Sequence, residues 1–148
     1  MADLNRLYQQ IILEHNRNPH HFGRPENSNR SAEGQNPVCG DSISVHVCLQ
    51  NTIISEIGFE GAGCAIAMAS ASLMTDHVKG KSSLEASAIF EMLLKMLNEP
   101  GDPAEQLGQL RALAGVRQFP VRMKCAILPW RTLLAALSDS SSHSVSTE

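Results

Sequence analysis

The sequence predicts an α+β fold in which a small antiparallel sheet packs against helices. Two observations lead to this fold class. Residues 43–50 alternate between apolar and polar side chains, as a half-buried strand does, and residues 52–59 can pair with them after a turn at Gln50–Asn51. From residue 64 onward the chain carries helix-capping signals and helical spacing instead. Strands followed by a run of helices are typical of α+β proteins.

The first helix is predicted from Asp3 to about His15. Asp is a favoured capping residue, and the residues after it place one apolar stripe at helical spacing: Leu4, Leu7, Tyr8, Ile11 and Ile12. Residues 16–37 then become polar and rich in Pro, Gly and Asn, which predicts a surface loop. Within this loop, the adjacent His20 and His21 are expected to face solvent or a partner rather than a metal.

The predicted hairpin needs further support. Two strands alone are marginally stable, so a third strand from the segment before residue 43, or helices on one face, must complete the core. Cys48 lies in the middle of the first hairpin strand on its polar face. We therefore interpret Cys48 as a packing or incidental thiol and leave it out of any site.

Four helices are predicted after the hairpin, each from a boundary signal. Glycine is favoured just after a helix, Ser with Glu three residues later forms a capping box, and Pro is favoured in a first turn. The predicted helices are residues 64–79 ending at Gly80, a helix from Ser82 and Glu85 to about Asn98, a short helix from Asp102 to Gly115, and Trp130–Leu137 after Pro129.

The predicted domain organisation is one domain with a tail. A chain of 148 residues that is 43% hydrophobic can bury one sizeable core. Residues 1–137 carry all the predicted elements and form the single domain. Residues 138–148 are rich in Ser and have no apolar period, so they are expected to be disordered.

Charge and hydropathy exclude several function classes. The chain has 12 Lys and Arg against 15 Asp and Glu, a net charge of −3, which indicates no nucleic-acid or anionic membrane partner. No apolar run approaches the roughly 18 residues of a membrane span, and the first residues are amphipathic rather than signal-like. A cytoplasmic location is expected. Four cysteines in a reducing compartment favour metal or sulfur chemistry over disulfides.

Three cysteines and one aspartate lie at the ends of predicted elements. Cys39 and Asp41 precede a strand, Cys64 joins a turn to a helix, and Cys125 lies beside the last helix. Gly40 allows a sharp turn, so the Cys39 and Asp41 side chains can converge on one ion. The spacing differs from paired zinc-finger spacing and is weak evidence for a metal by itself. Buried packing of these cysteines and turn capping by Asp41 are the alternatives.

Local motifs around these cysteines resemble a known family. The segments are NPVCGD at 36–41, GAGCAIAMASASLMT at 61–75 and RMKCAILPW at 122–130. They are similar to the three cysteine motifs of U-type iron–sulfur cluster assembly proteins, which include IscU scaffolds, SufU proteins and NifU N-terminal domains. The resemblance implies a SufE/IscU-like fold and work with a cysteine desulfurase (SufS-like) and a downstream assembly scaffold. It also implies a metal-binding and cofactor-binding set: Cys39, Asp41, Cys64 and Cys125.

Three features resemble the Suf-type branch of the family. Isc-type scaffolds have a His before the third cysteine, where this chain has Lys124. Residues 119–122 replace the chaperone-recognition segment of those scaffolds, and additional residues at about 100–118 lengthen the preceding connection. The resemblance to this branch implies bound zinc and sulfur transfer.

The leading hypothesis is a zinc-bearing sulfur acceptor and relay, with Cys39 as the catalytic residue that takes sulfur from a desulfurase. A scaffold on which a 2Fe–2S cluster is built would use the same four side chains, because thiolates suit both zinc and iron–sulfur clusters. A structural zinc module in an interaction protein is the alternative of another class. A cysteine hydrolase is a weaker choice, because no His and Asn context around Cys39 identifies a general base. Whether the chain is itself a sulfurtransferase-like enzyme is left open.

Overall fold

The computed structural model describes residues 2–138 and 144–146, which form a small sheet covered by helices. The described elements, in chain order, are α1 (Ala2–Arg17), β1 (Arg30–Asn36), β2 (Asp41–Gln50), β3 (Ile53–Ala62), α2 (Ala65–Val78), α3 (Ser83–Asn98), a 3-10 segment (Glu105–Gln118), α4 (Pro120–Leu137) and β4 (Ser144–Ser146). This architecture confirms the predicted α+β class.

The sheet has the strand order β3-β2-β1-β4. β1, β2 and β3 are antiparallel, and β4 runs parallel to β1. Thus Ser144–Ser146 pair with β1 within the tail that the sequence predicts to be disordered. Residues 139–143 and 147–148 of that tail lie outside the described residues, so the domain boundary at residue 137 stays a prediction.

The predicted surface loop at residues 16–37 is wrong in its second half, because β1 occupies Arg30–Asn36. This segment has no β-branched residue, so its strand conformation comes from pairing with β2 and from packing on α4. Gly34 shows how close that packing is, since a Cβ at this position would overlap Thr132 Oγ1. β1 is the third strand that the hairpin requires.

The helices α2 and α3 agree with their predicted boundaries. Cys64 is the N-cap of α2, and Gly80 has a φ of 84° after its end. Ser82 and Glu85 form both hydrogen bonds of the predicted capping box at α3. The short helix predicted to end at Gly115 is instead a 3-10 segment that extends to Gln118 and is interrupted at Gly108.

The last helix begins ten residues before the predicted Trp130, because Pro120, not Pro129, occupies its first turn. Pro129 lies inside α4, where it has no N–H to donate to the carbonyl of Cys125, four residues earlier. The helix packs on β1, β2 and α2, and its Trp130 side chain is fully buried and stacks on Phe90 with 6.2 Å between ring centroids. Cys125 is therefore inside the helix rather than beside it.

Among the described helices, none is long and apolar enough to cross a bilayer.

Candidate metal centre

The turn between β1 and β2 carries the first two residues of the candidate centre. The backbone N–H groups of Cys39 and Gly40 both donate to the Asn36 carbonyl, at 3.2 and 2.9 Å. Gly40 has a φ of 74°, a left-handed conformation that side chains other than glycine adopt at a cost. This turn leaves Cys39 half-buried at its tip and places Asp41 as the first residue of β2.

Asp41 connects this turn to the start of α2. Its side chain is 2% exposed, and Oδ1 accepts a 2.8 Å hydrogen bond from the backbone N–H of Cys64. The other oxygen, Oδ2, lies 4.0 Å from Cys64 Sγ. Gly63 makes this approach possible, because a Cβ there would lie 2.6 Å from Asp41 Oδ1. The buried carboxylate of Asp41 thus has a fixed orientation beside the sulfurs of Cys39 and Cys64.

Cys125 brings the third sulfur from α4. Its side chain is fully buried, and Asn36 Nδ2 lies 3.5 Å from its Sγ. Burial raises the pKa of the Cys125 thiol, and hydrogen bonds to Cys39 and Asp41 raise it further. Without a cation the thiol is therefore protonated at neutral pH, and a metal that binds it must displace that proton.

A positively charged side chain, that of Arg122, lies at the open side of the cluster. Arg122 is exposed and donates from its guanidinium to Cys39 Sγ at 3.7 Å. The sulfurs raise the pKa of Arg122, first through a hydrogen bond to Cys125 and then through the charges of Cys64 and Cys39. Arg122 therefore offsets negative charge at a cluster of three thiols and one carboxylate.

The four side chains fit a thiophilic metal ion. One potential ligand atom from each of Cys39, Asp41 and Cys125 lies within 4.8 Å of the others, and Cys64 is held beside them through Asp41. All four cysteines of the chain are free thiols. Three sulfurs and one oxygen from three separate segments suit tetrahedral zinc and also the iron of an iron–sulfur cluster.

Of the four side chains that the sequence nominates, Cys39, Asp41 and Cys125 come within reach of one ion. Cys64 lies beside this group, with its Sγ 4.0 Å from Asp41 Oδ2, and Cys48 does not join it. Cys48 is 6% exposed and lies in the middle of β2. Sequence reasoning gave no role to Asn36, which holds the Cys39 turn through its carbonyl and contacts Cys125 through its amide. Its Oδ1 is buried without a hydrogen-bond partner in the described part of the chain. The Asn-Pro pair at the turn was the available signal.

Beside Cys39 an open, largely apolar groove of about 610 Å³ is lined by Val38, Cys39, Gln118, Phe119, Pro120, Val121 and Arg122. The residues Val38, Phe119 and Val121 are 64%, 50% and 59% exposed. Exposed apolar side chains around a reactive group are typical of a protein-docking surface.

Comparisons with known proteins identify similar chains. The family model described as NifU-like N terminal domain matches residues 7–139. The chain is 40% identical over 141 residues to the iron–sulfur cluster assembly scaffold protein IscU of Streptococcus pyogenes serotype M1, covering 95% of this chain and 88% of that protein. It is 41% identical over 135 residues to the zinc-dependent sulfurtransferase SufU of Bacillus subtilis (strain 168), covering 89% and 90%.

Solved structures of similar proteins superimpose on this chain. A crystal structure from Fervidobacterium islandicum AW-1, described as an iron–sulfur cluster assembly scaffold protein for the SUF system, superimposes with a TM-score of 0.82. It is 30% identical and covers 90% of this chain and 98% of that one. The N-terminal part of a nitrogen-fixing NifU-like protein from Brucella abortus has a TM-score of 0.79 at 22% identity, which supports the fold alone.

Proposed function

Because this chain belongs to the family of NifU-like N-terminal domains, we propose that it acts in iron–sulfur cluster assembly as a zinc-bearing acceptor of sulfur from a cysteine desulfurase. The observation that carries the proposal is the convergence of three thiols and a buried carboxylate beside an open groove. The relatives support it, since one is named a zinc-dependent sulfurtransferase and another an assembly scaffold.

The metal in this proposal is held by Cys39, Asp41, Cys64 and Cys125. Zinc bound there keeps the thiols as thiolates, which are the reactive form of cysteine. Burial raises the pKa of Cys125 and holds it protonated in the metal-free chain, so this proton would have to leave before Cys125 could hold zinc. The 2.8 Å hydrogen bond from Cys64 N–H to Asp41 Oδ1 fixes the carboxylate before any metal arrives.

Cys39 is the sulfur acceptor in this proposal. Cys125 is fully buried, and Cys64 is the N-cap of α2 with its backbone tied to Asp41. Cys39, in contrast, lies at the tip of a turn between an exposed Val38 and the groove. Cys39 and Cys64 are both half-buried, and of the two it is Cys39 that lines the groove where a partner can dock.

The transfer step balances without another reactant. The Cys39 thiolate attacks the outer sulfur of a cysteine persulfide on the desulfurase, and a new sulfur–sulfur bond forms on Cys39. The sulfur–sulfur bond of the desulfurase persulfide breaks, and its cysteine leaves as a thiolate. Arg122, which contacts Cys39 Sγ, stabilises the negative charge on the attacking and the receiving sulfur. A downstream assembly scaffold in the same reducing cytoplasm then takes the sulfur.

A second candidate function is a scaffold on which a 2Fe–2S cluster is built by the same four residues. The 40% identity to a protein named as an assembly scaffold favours it. Metal and sulfide analysis of protein purified without oxygen separates the two functions. One zinc per chain supports the acceptor, and a coloured protein with iron and acid-labile sulfide supports the scaffold. A purely structural zinc module is disfavoured by the half-buried Cys39 beside a groove.

The test of the acceptor function locates the transferred sulfur. The chain is incubated with a cognate desulfurase and cysteine, thiols are trapped by alkylation, and persulfide is located by mass spectrometry. We expect persulfide on Cys39, and we expect Cys39→Ser to abolish stimulation of the desulfurase. Cys48→Ser is the matched control, because it also removes a thiol but lies outside the cluster. Equal stimulation by the Cys39→Ser variant would refute the acceptor function.

A further inference from the structure

A second group of metal-ligating side chains lies where α1 and the loop after it meet α2. The group consists of His15 in α1, His20 in the loop and Asp76 in α2. One potential ligand atom from each lies within 4.8 Å of the others. Cys64 and Asp76 are twelve residues apart at either end of α2, so the two groups are separated by about 18 Å at the helical rise of ~1.5 Å per residue.

The histidines are held in place by the hydroxyl of Ser72. This residue is fully buried, and its Oγ lies 2.6 Å from His15 Nδ1. The same oxygen accepts the backbone N–H of His20 at 2.7 Å. The centroids of the His15 and His20 rings lie 4.4 Å apart, with 43° between the ring planes.

Asp76 supplies the carboxylate oxygens that could act as metal ligands. Its Oδ2 lies 2.6 Å from His20 Nδ1, and its Oδ1 lies 3.5 Å from His21 Nδ1. The side chains of His20, His21 and Asp76 are 43%, 30% and 29% exposed, whereas His15 is 3% exposed as a residue. The group therefore combines one buried, fixed imidazole with donors that solvent ions can reach.

We propose that His15, His20 and Asp76 form a second metal site that binds a divalent transition-metal ion. Imidazole suits zinc, nickel, copper and iron, whereas magnesium and calcium require mainly oxygen ligands. Two histidines and one carboxylate leave coordination positions open to water or to a further ligand. Such an ion connects α1, the following loop and α2, and it differs in donor chemistry from the cysteine centre.

The test uses the full chain with zinc already bound at the cysteine centre. After excess zinc is removed, Ni²⁺ is added, and binding is followed by calorimetry and by paramagnetic broadening of histidine signals in NMR spectra. We expect one Ni²⁺ per chain in addition to the retained zinc, with the His15 and His20 signals broadened first. Zinc content measured after the titration checks that nickel has not replaced it.

Variants then assign the site. His20→Ala and Asp76→Asn should each weaken nickel binding at least roughly tenfold, the lower range of effects for residues that merely orient metal ligands. Both side chains are partly exposed, so the variants should fold, which circular dichroism verifies. His77→Ala is the matched control, since His77 follows Asp76 in sequence but bonds the Leu73 carbonyl of its own helix. Nickel binding in this variant should be unchanged.

The proposal is overturned by any of three results. The first is the absence of heat and of broadening with nickel in excess over the zinc-loaded chain. The second is nickel affinity that His20→Ala and Asp76→Asn leave unchanged. The third is an equal loss of affinity in the His77→Ala control.

Discussion

A methyl group added at Gly63 should displace the carboxylate of the metal centre. The Cβ of Gly63→Ala would lie 2.6 Å from Asp41 Oδ1 and 3.1 Å from Asp41 Cβ and Cγ, closer than ordinary contacts of 3.4–4 Å. Asp41 is 2% exposed and is the first residue of β2, so its backbone has little room to shift. Its side chain must rotate, which breaks the hydrogen bond from the Cys64 N–H to Asp41 Oδ1.

The magnitude follows from that hydrogen bond. A bond to a charged acceptor contributes about 1.5–3 kcal/mol. If zinc binding requires the carboxylate in its present orientation, this loss corresponds to a decrease in zinc affinity of about 10- to 150-fold. The melting temperature of the metal-free chain should also fall, because the same hydrogen bond stabilises the start of α2.

Zinc affinity is measured by competition with a chromophoric chelator in a double-mutant cycle with Asp41→Ala. If the methyl group acts through the carboxylate, Gly63→Ala should cost less than about 0.5 kcal/mol in the Asp41→Ala background, since the two changes affect the same contact. An equal loss of zinc affinity in both backgrounds would refute this reasoning, because the methyl group would then be acting on something other than Asp41.

Three further predictions concern metal content and stability. Cys48→Ser should leave zinc content unchanged in elemental analysis, and loss of zinc would contradict the ligand assignment. Chelation should lower the melting temperature, because zinc that joins the β1–β2 turn, α2 and α4 adds stability to the native state. An unchanged melting temperature after verified zinc loss would argue against this coupling. Burial, and next the charge of His20, lower the pKa of His15 below 6.5 although Asp76 and Glu14 oppose this. In the metal-free chain, the stability that depends on a neutral His15 is therefore complete above pH 6.5 and is lost as the pH falls through the lowered pKa of His15. His15→Gln should flatten this pH dependence of the melting temperature.

Local signals predicted the elements whose boundaries are set by local contacts. The capping box at Ser82 and Glu85 and the glycine after α2 are formed within a few residues, so they are readable from sequence. β1 is different, because Gly34 takes its place only through close packing on Thr132, far away in the chain. The start of α4 was ambiguous, since Pro120 and Pro129 carry the same first-turn signal and only packing distinguishes them.

The two candidate sites also differ in how far the sequence alone predicts them. Motifs identified the cysteine cluster, although no spacing rule would have joined residues from three segments. The histidine group was missed, because His20 and His21 lie in a polar loop whose side chains the sequence predicts to face solvent or a partner. Their contact with Asp76 joins residues 56 and 55 positions apart, a pairing that the apolar pattern of the chain does not encode.

The connection of Asn36 to Cys125 across 89 residues has a consequence for how the protein is made. Translation proceeds from the N-terminus, so Cys39, Asp41 and Cys64 leave the ribosome before Cys125. At about 5–20 residues per second, the interval between Cys64 and Cys125 lasts roughly 3 to 12 seconds. During that time the nascent chain exposes the thiols of Cys39 and Cys64 without Cys125 beside them and without α4 to cover them. Oxidants and stray metal ions therefore compete for these thiols until α4 has been synthesised and has docked.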